Sequence, residues 1–156
     1  MHAPVIRDAR TVLTHRRILA HEPERVFPLL CPVLEYDWIP GWNGRIVHSR
    51  TGYGERGCVF TTDAPGFGPE SWTTFRCEPC AAVGFVRAST HCTVLYEIAL
   101  APLSGGGCEL TATQAFTPLT DAGADHVARL AAGDYERIMT RVTDLLDEYL
   151  HRTPQA

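Results

Sequence analysis

The chain has no apolar run approaching the ~18 residues of a membrane-spanning helix, which predicts no stable membrane insertion. It has no basic excess either. The formal net charge is −4, and basic residues cluster no further than Arg16-Arg17. A nucleic-acid partner calls for a basic footprint and a lipid surface for a polybasic run, so neither is expected. The opening MHAPVIRDARTV lacks the apolar core of a secretory signal and carries Asp8. A cytoplasmic location with reduced thiols at the six cysteines is therefore the expectation.

Catalytic and cofactor signatures are missing as well. No G-x-S-x-G occurs to form a nucleophile elbow. GYGERG and LSGGG lack the Lys and the strand-to-helix context of a phosphate-binding loop. Cys77-Glu-Pro-Cys80 has the spacing of half a zinc site, with His91-Cys92 as a candidate second half. In a meander those pairs fall at opposite ends of the hairpins, and no helix follows the CxxC to activate a thiol. Turn-flanking thiols are the better reading, so no metal and no cofactor are expected. His48 on a strand and His126 early in the last helix are the histidines able to reach a cavity, though exposure is the simpler reading of each.

What is present is an ordinary globular composition: 156 residues, 45% hydrophobic and 21% charged. A chain of this length buries roughly 70% of its unfolded surface, enough for one domain without staples. Residues 1–9 read as a leader, 10–151 as a single domain and 152–156 as a tail. TVLTHRRILA is a first strand, and HEPERVFPLL starts a helix at Pro23 that Pro28 interrupts. The period then changes from 3.6 to 2 through GRIVHSRT, GCVFTTD, ESWTTFRCE, AVGFVRAS, TVLYEIALAPL and CELTATQAFTPL, with turn signals between them. From Asp121, the expected N-cap, to His151, apolar residues recur at helical steps. An antiparallel meander followed by one long amphipathic helix is the expected architecture, the sheet curving round the helix.

Between the first strand and the meander lies EYDWIPGW, with Trp38 and Trp42 either side of a helix-breaking Pro-Gly pair. Together with the surrounding PERVFPLLCPVLEYDWIPGW, with GCVFTTD, with EPCAAVGFVRAS and with the closing helix, it resembles the helix-grip, START-like (SRPBCC) superfamily. Within that superfamily the resemblance is to the polyketide cyclase/dehydrase and lipid-transport branch. It implies an α+β helix-grip fold, a curved antiparallel β-sheet of about seven strands wrapped around a long C-terminal α-helix, with short helices after the first strand. It further implies a cavity between sheet and helix for a hydrophobic or aromatic small molecule, in a monomer or homodimer. No catalytic motif is shared across the family, so none transfers.

Strand parity selects the residues expected to face that cavity, because successive side chains point to opposite faces. Leu110, Ala112, Gln114 and Phe116 share one face of the last strand; Val94, Tyr96, Ile98 and Leu100 share one of the strand before it. Val83, Phe85 and Arg87 form a third set, and Cys58, Phe60 and Thr62 a fourth. Arg87 either brings a cation to the cavity or snorkels at a strand end. On the helix, Gly133 costs about 1 kcal/mol against Ala, which suggests room for a ligand or close helix–sheet contact. Tyr135 and Met139 beside it are soft walls. The ligand-binding candidates are therefore Trp38, Trp42, Phe60, Thr62, Phe85, Arg87, Tyr96, Gln114, Phe116, Tyr135 and Met139, with the tryptophans as a lid over the entrance. Asp37 and Asp134 are candidate bases if buried. Binding or transport of the small molecule is the first expectation. A cofactor-free cyclase, dehydratase or aromatase is the alternative, and an interaction module with a collapsed pocket the third.

Overall fold

β1 (Thr11–Leu19) is built from β-branched and apolar residues whose burial alternates along the chain, with His15 and Leu19 buried. In the computed structural model, which describes residues 10–64 and 68–154, β1 pairs along its whole length with the last strand, β7 (Cys108–Pro118). The expected leader lies outside the described residues. The seven-stranded antiparallel sheet has the order β1-β7-β6-β5-β4-β3-β2. Its remaining strands are β2 (Arg45–His48), β3 (Val59–Ala64), β4 (Gly68–Glu78), β5 (Ala82–Ala88) and β6 (Cys92–Pro102).

β1 and β2 are consecutive in the chain yet sit at opposite edges of the sheet, so the segment between them must cross its open end. Short helical pieces make the crossing. α1 (Pro23–Val26) has Pro at its first turn, where the missing N–H costs nothing. Pro28 then prevents α-helical continuation, and the chain tightens into 3₁₀ turns at Phe27–Leu29 and Leu34–Asp37.

The expected long C-terminal helix is present and runs from Asp121 to Arg152 with one local interruption. α2 (Asp121–Arg129) and α3 (Tyr135–Arg152) meet at a wide turn, Leu130–Asp134, where Gly133 adopts φ 138°. A Cβ added there would meet nothing within 4 Å. Gly133 is therefore demanded by backbone conformation, not by room for a ligand or by close packing. The N-cap is Thr120, one residue before the expected Asp121; its hydroxyl accepts from the Gly123 N–H at 3.1 Å. No helix of the described residues is long and apolar enough to cross a membrane.

α3 is fastened to β1. Arg17 reaches Asp144 at 2.6 Å and Asp147 at 3.2 Å. Buried His15 donates Nδ1–H to Glu136 at 3.0 Å, while its Nε2 lies 3.1 Å from Thr143 Oγ1. The core lies between this helix and the concave face of the sheet, drawn from the parity sets of β5, β6 and β7 and from Leu130, Tyr135, Met139, Leu146 and Leu150.

Candidate functional site

The inward parity of β4, β5 and β7 brings four polar or aromatic side chains together. Glu70 and Trp72 point inward from β4, Arg87 from β5 and Gln114 from β7. Arg87 Nε donates to Glu70 Oε2 at 3.1 Å and Nη2 to Oε1 at 3.0 Å, the paired geometry that suits a guanidinium to a carboxylate. Nη1 donates to Gln114 Oε1 at 2.6 Å. The guanidinium also lies over the Trp72 ring, 4.4 Å from its centroid. Glu70 is 8% exposed and Arg87 20%, so of the two readings of Arg87 the inward one holds. A strand-end arginine in water has no such partners.

This cluster stands on the shared wall of two adjoining cavities. One, of 430 Å³, extends toward the C-terminal helices past Gln114, Phe116, His126, Tyr135 and Met139. The other, of 250 Å³, opens past Thr62 and Trp42 to the Ile39–Asn43 segment. His126 reaches the first of them and is half-buried, with its pKa lowered by desolvation and by the nearby Arg129 and Arg87. His48 is exposed. Tyr135 donates to the Ala112 carbonyl at 3.1 Å and packs edge-on against Phe116, and burial pushes its phenol up to about 12.

An aromatic partition runs beside the Arg87 cluster. Phe60 stacks on Trp72 with centroids 5.2 Å apart, and Phe85 meets both rings edge-on. Tyr96 completes it, 6.0 Å from Phe85. Thr62 accepts the Trp72 indole N–H at 2.9 Å. The two remaining tryptophans take different places. Trp42 is half-buried beside Phe60, donates to the Pro32 carbonyl at 2.7 Å and lines the smaller cavity. Its ring lies so close to Gly44 that a Cβ there would come within 2.6 Å of it. Trp38 is 5% exposed, donates to the Leu29 carbonyl at 3.0 Å and borders a groove against α3.

The expected acid–base carboxylates are at the surface. Asp37 is exposed, and Asp134 is half-exposed beside Arg137 at 3.5 Å. Glu35, two residues before Asp37, is the enclosed one. It has no side-chain hydrogen bond among the described residues, and burial alone pushes its carboxyl up to about 8. Yet part of its surface stays accessible. Tyr96 behaves in the same way: it is half-buried, its hydroxyl has no hydrogen-bond partner among the described residues, and desolvation raises its pKa. Its phenol also feels the charges of Glu35 and Arg87.

All six cysteines are free of disulfide bonds, and among the described residues none lies in a cluster of metal-ligating side chains. Among the described residues, His21, Asp147 and His151 do bring ligand atoms within 4.8 Å of one another. Arg25 donates to His21 Nδ1 at 3.2 Å and Arg17 bonds Asp147, and two guanidinium groups there disfavour a cation.

No protein-family model matches the sequence, and no curated protein is similar to it in sequence. Solved structures are similar in fold. Protein MLL2253 from Mesorhizobium loti superposes with a TM-score of 0.70 over 93% of this chain and 100% of its own, at 18% identity. Norcoclaurine synthase from Thalictrum flavum, in complex with dopamine and hydroxybenzaldehyde, gives 0.71 over 94% and 90% at 12% identity. A truncated form of that synthase gives 0.72 over 97% and 100% at 11% identity. At such identities the likeness is one of architecture: the chain has the α+β helix-grip fold.

Proposed function

We propose that the protein binds or carries an aromatic small molecule in the space between its sheet and C-terminal helices, as a member of the START-like (SRPBCC) superfamily. The observation that carries this reading is the Arg87–Glu70–Gln114 cluster over Trp72, built into the wall of a 430 Å³ cavity. Small-molecule sites are apolar hollows with a few convergent polar groups, and this is that arrangement. A guanidinium has five N–H groups. Three of them are spent on Glu70 and Gln114, which leaves others for a ligand acceptor. Because Glu70 neutralises the charge of Arg87, the wall suits a neutral acceptor such as a carbonyl or phenol better than an anion. The aromatic ligands in the norcoclaurine synthase complex fit the same class. An open cavity of this size also argues against an interaction module with a collapsed pocket.

The test is native mass spectrometry of the purified protein beside a denatured control, followed by tryptophan-fluorescence titration with neutral aromatic ketones and phenols. A co-purifying molecule lost on denaturation, or saturable quenching by the panel, is expected. A protein that is empty as purified and shows no saturable response contradicts the reading.

A further inference from the structure

A third cavity, of 210 Å³, lies between the short helical crossing and the far part of β4 and β5. Phe27, Leu30 and Leu34 close it on the helical side, and Val83 and Phe85 on the sheet side. Phe85 packs edge-on against Trp72, which borders the cavity beside Arg87, so the aromatic partition stands between the two spaces. Their walls differ in kind. The cavities near Arg87 are bordered by Glu70, Arg87, His126 and Arg129, whereas no charged side chain lines this one among the described residues.

A bulge in β4 produces that wall. The register against β5 shifts between Thr74 and Arg76. Inward parity runs through Trp72 and Thr74, and unbroken alternation would bring Arg76 to the cavity next. The extra residue moves the parity by one, so Cys77 faces the cavity, opposite Val83. Arg76 is turned to the surface, where it pairs with Glu78 and Glu97.

One polar atom on the wall is unanswered. Thr74 is 1% exposed, and its Oγ1 has no hydrogen-bond partner among the described residues. Its backbone is fully engaged: the N–H donates to the Cys58 carbonyl at 2.9 Å, and the carbonyl accepts from the Gly57 N–H at 2.7 Å. The Cys31 thiol on the same wall already accepts the Gly54 N–H at 3.1 Å. Valine has the shape of threonine without the hydroxyl, so a buried hydroxyl left alone calls for a cause. A cavity in front of it supplies one.

We propose that this cavity is a second ligand site, taking a small uncharged alcohol whose oxygen bonds the Thr74 hydroxyl. A hydroxyl both donates and accepts, so the pair can form in either sense. The size follows from the volume, since an apolar cavity of about 150 Å³ is enough for benzene. A short alkyl chain or one ring therefore fits here. The proposal does not depend on the aromatic-ligand reading, which rests on the cavity beside Arg87.

The experiment uses the full chain and 1-hexanol. Binding is read by saturation-transfer NMR. Its place is read from the rate at which N-ethylmaleimide alkylates Cys77, mapped by tandem mass spectrometry against Cys80, which does not line the cavity. Saturable binding is expected, with Cys77 alkylation slowed several-fold and Cys80 unchanged. Thr74→Val should unfold at the same temperature as the wild type or higher, and bind 1-hexanol ~10-fold more weakly. Any of three results overturns the proposal: no saturable binding, binding that leaves the Cys77 rate unchanged, or wild-type affinity in Thr74→Val. A Thr74→Val protein that melts well below the wild type also overturns it, because the hydroxyl would then have a partner within the fold.

Discussion

Glu70 and Glu35 are two carboxylates that are not fully exposed, and their surroundings are opposite. Glu70 accepts two guanidinium N–H groups from Arg87, which is itself held by Gln114 and Trp72. Glu35 accepts none among the described residues, and its carboxyl is pushed up to about 8. Glu70 is buried and Glu35 half-buried, and only Glu70 has a partner among the described residues. A buried charge with its partner is a fixed fitting of the wall, suited to orienting a ligand. A half-buried carboxylate without one carries its charge at a cost in stability.

The comparison breaks most severely when Glu70 loses its partner. Arg87→Met leaves a buried unpaired carboxylate and should destabilise by ~3–5 kcal/mol, read from urea unfolding at pH 7. The double variant Arg87→Met/Glu70→Met should recover most of that loss, since replacing both members with apolar groups of similar size is often near neutral. A double variant no more stable than the single one contradicts the pairing.

Glu35 should respond in the opposite sense. Its folded pKa lies above the ordinary 4.5, so the folded chain keeps a proton that the unfolded chain releases as pH rises. Stability from this group is therefore complete below about 4.5 and is lost as pH rises toward about 8. Glu35→Gln should gain ~1–3 kcal/mol over the wild type at pH 8.5 and almost nothing near pH 4. A pH-independent difference in denaturation midpoint would falsify the assignment.

A smaller effect is expected where a buried polar group loses a neutral partner. Thr143→Val removes the hydroxyl beside His15 Nε2 and should cost ~1–2 kcal/mol in thermal or chemical unfolding. The least should come from the partly exposed Arg17–Asp144–Asp147 array. Arg17→Gln there should cost ~0.5 kcal/mol, and the loss should shrink with added salt.

The concave face of the sheet was legible in the sequence because a strand has period 2 and parity is unambiguous once the strand is found. Gln114, Phe116, Phe85 and Thr62 stand on the faces that alternation assigns. The same parity rule reaches Glu70, two residues before Trp72 and four before Thr74 on β4, and His15, between Leu13 and Arg17 on β1. Both polar residues lie within reach of the rule. Glu35 is a different case. It sits in a 3₁₀ turn, where residues three apart share a side, so Glu35 lies on the side of buried Trp38 while Asp37 turns to solvent. A chain broken by Pro28, Pro32 and Pro40 carries no periodic signal long enough to reveal that register. The break at Gly133 was half legible: the residue stood out, but its positive φ is a property of the folded backbone.

The measurement that bears most directly on this account is a ¹³C NMR titration of the Glu35 side-chain carboxyl in the intact protein, assigned by its loss in Glu35→Gln. The account predicts a midpoint near 8, and a midpoint in the ordinary carboxylate range near 4.5 would contradict it.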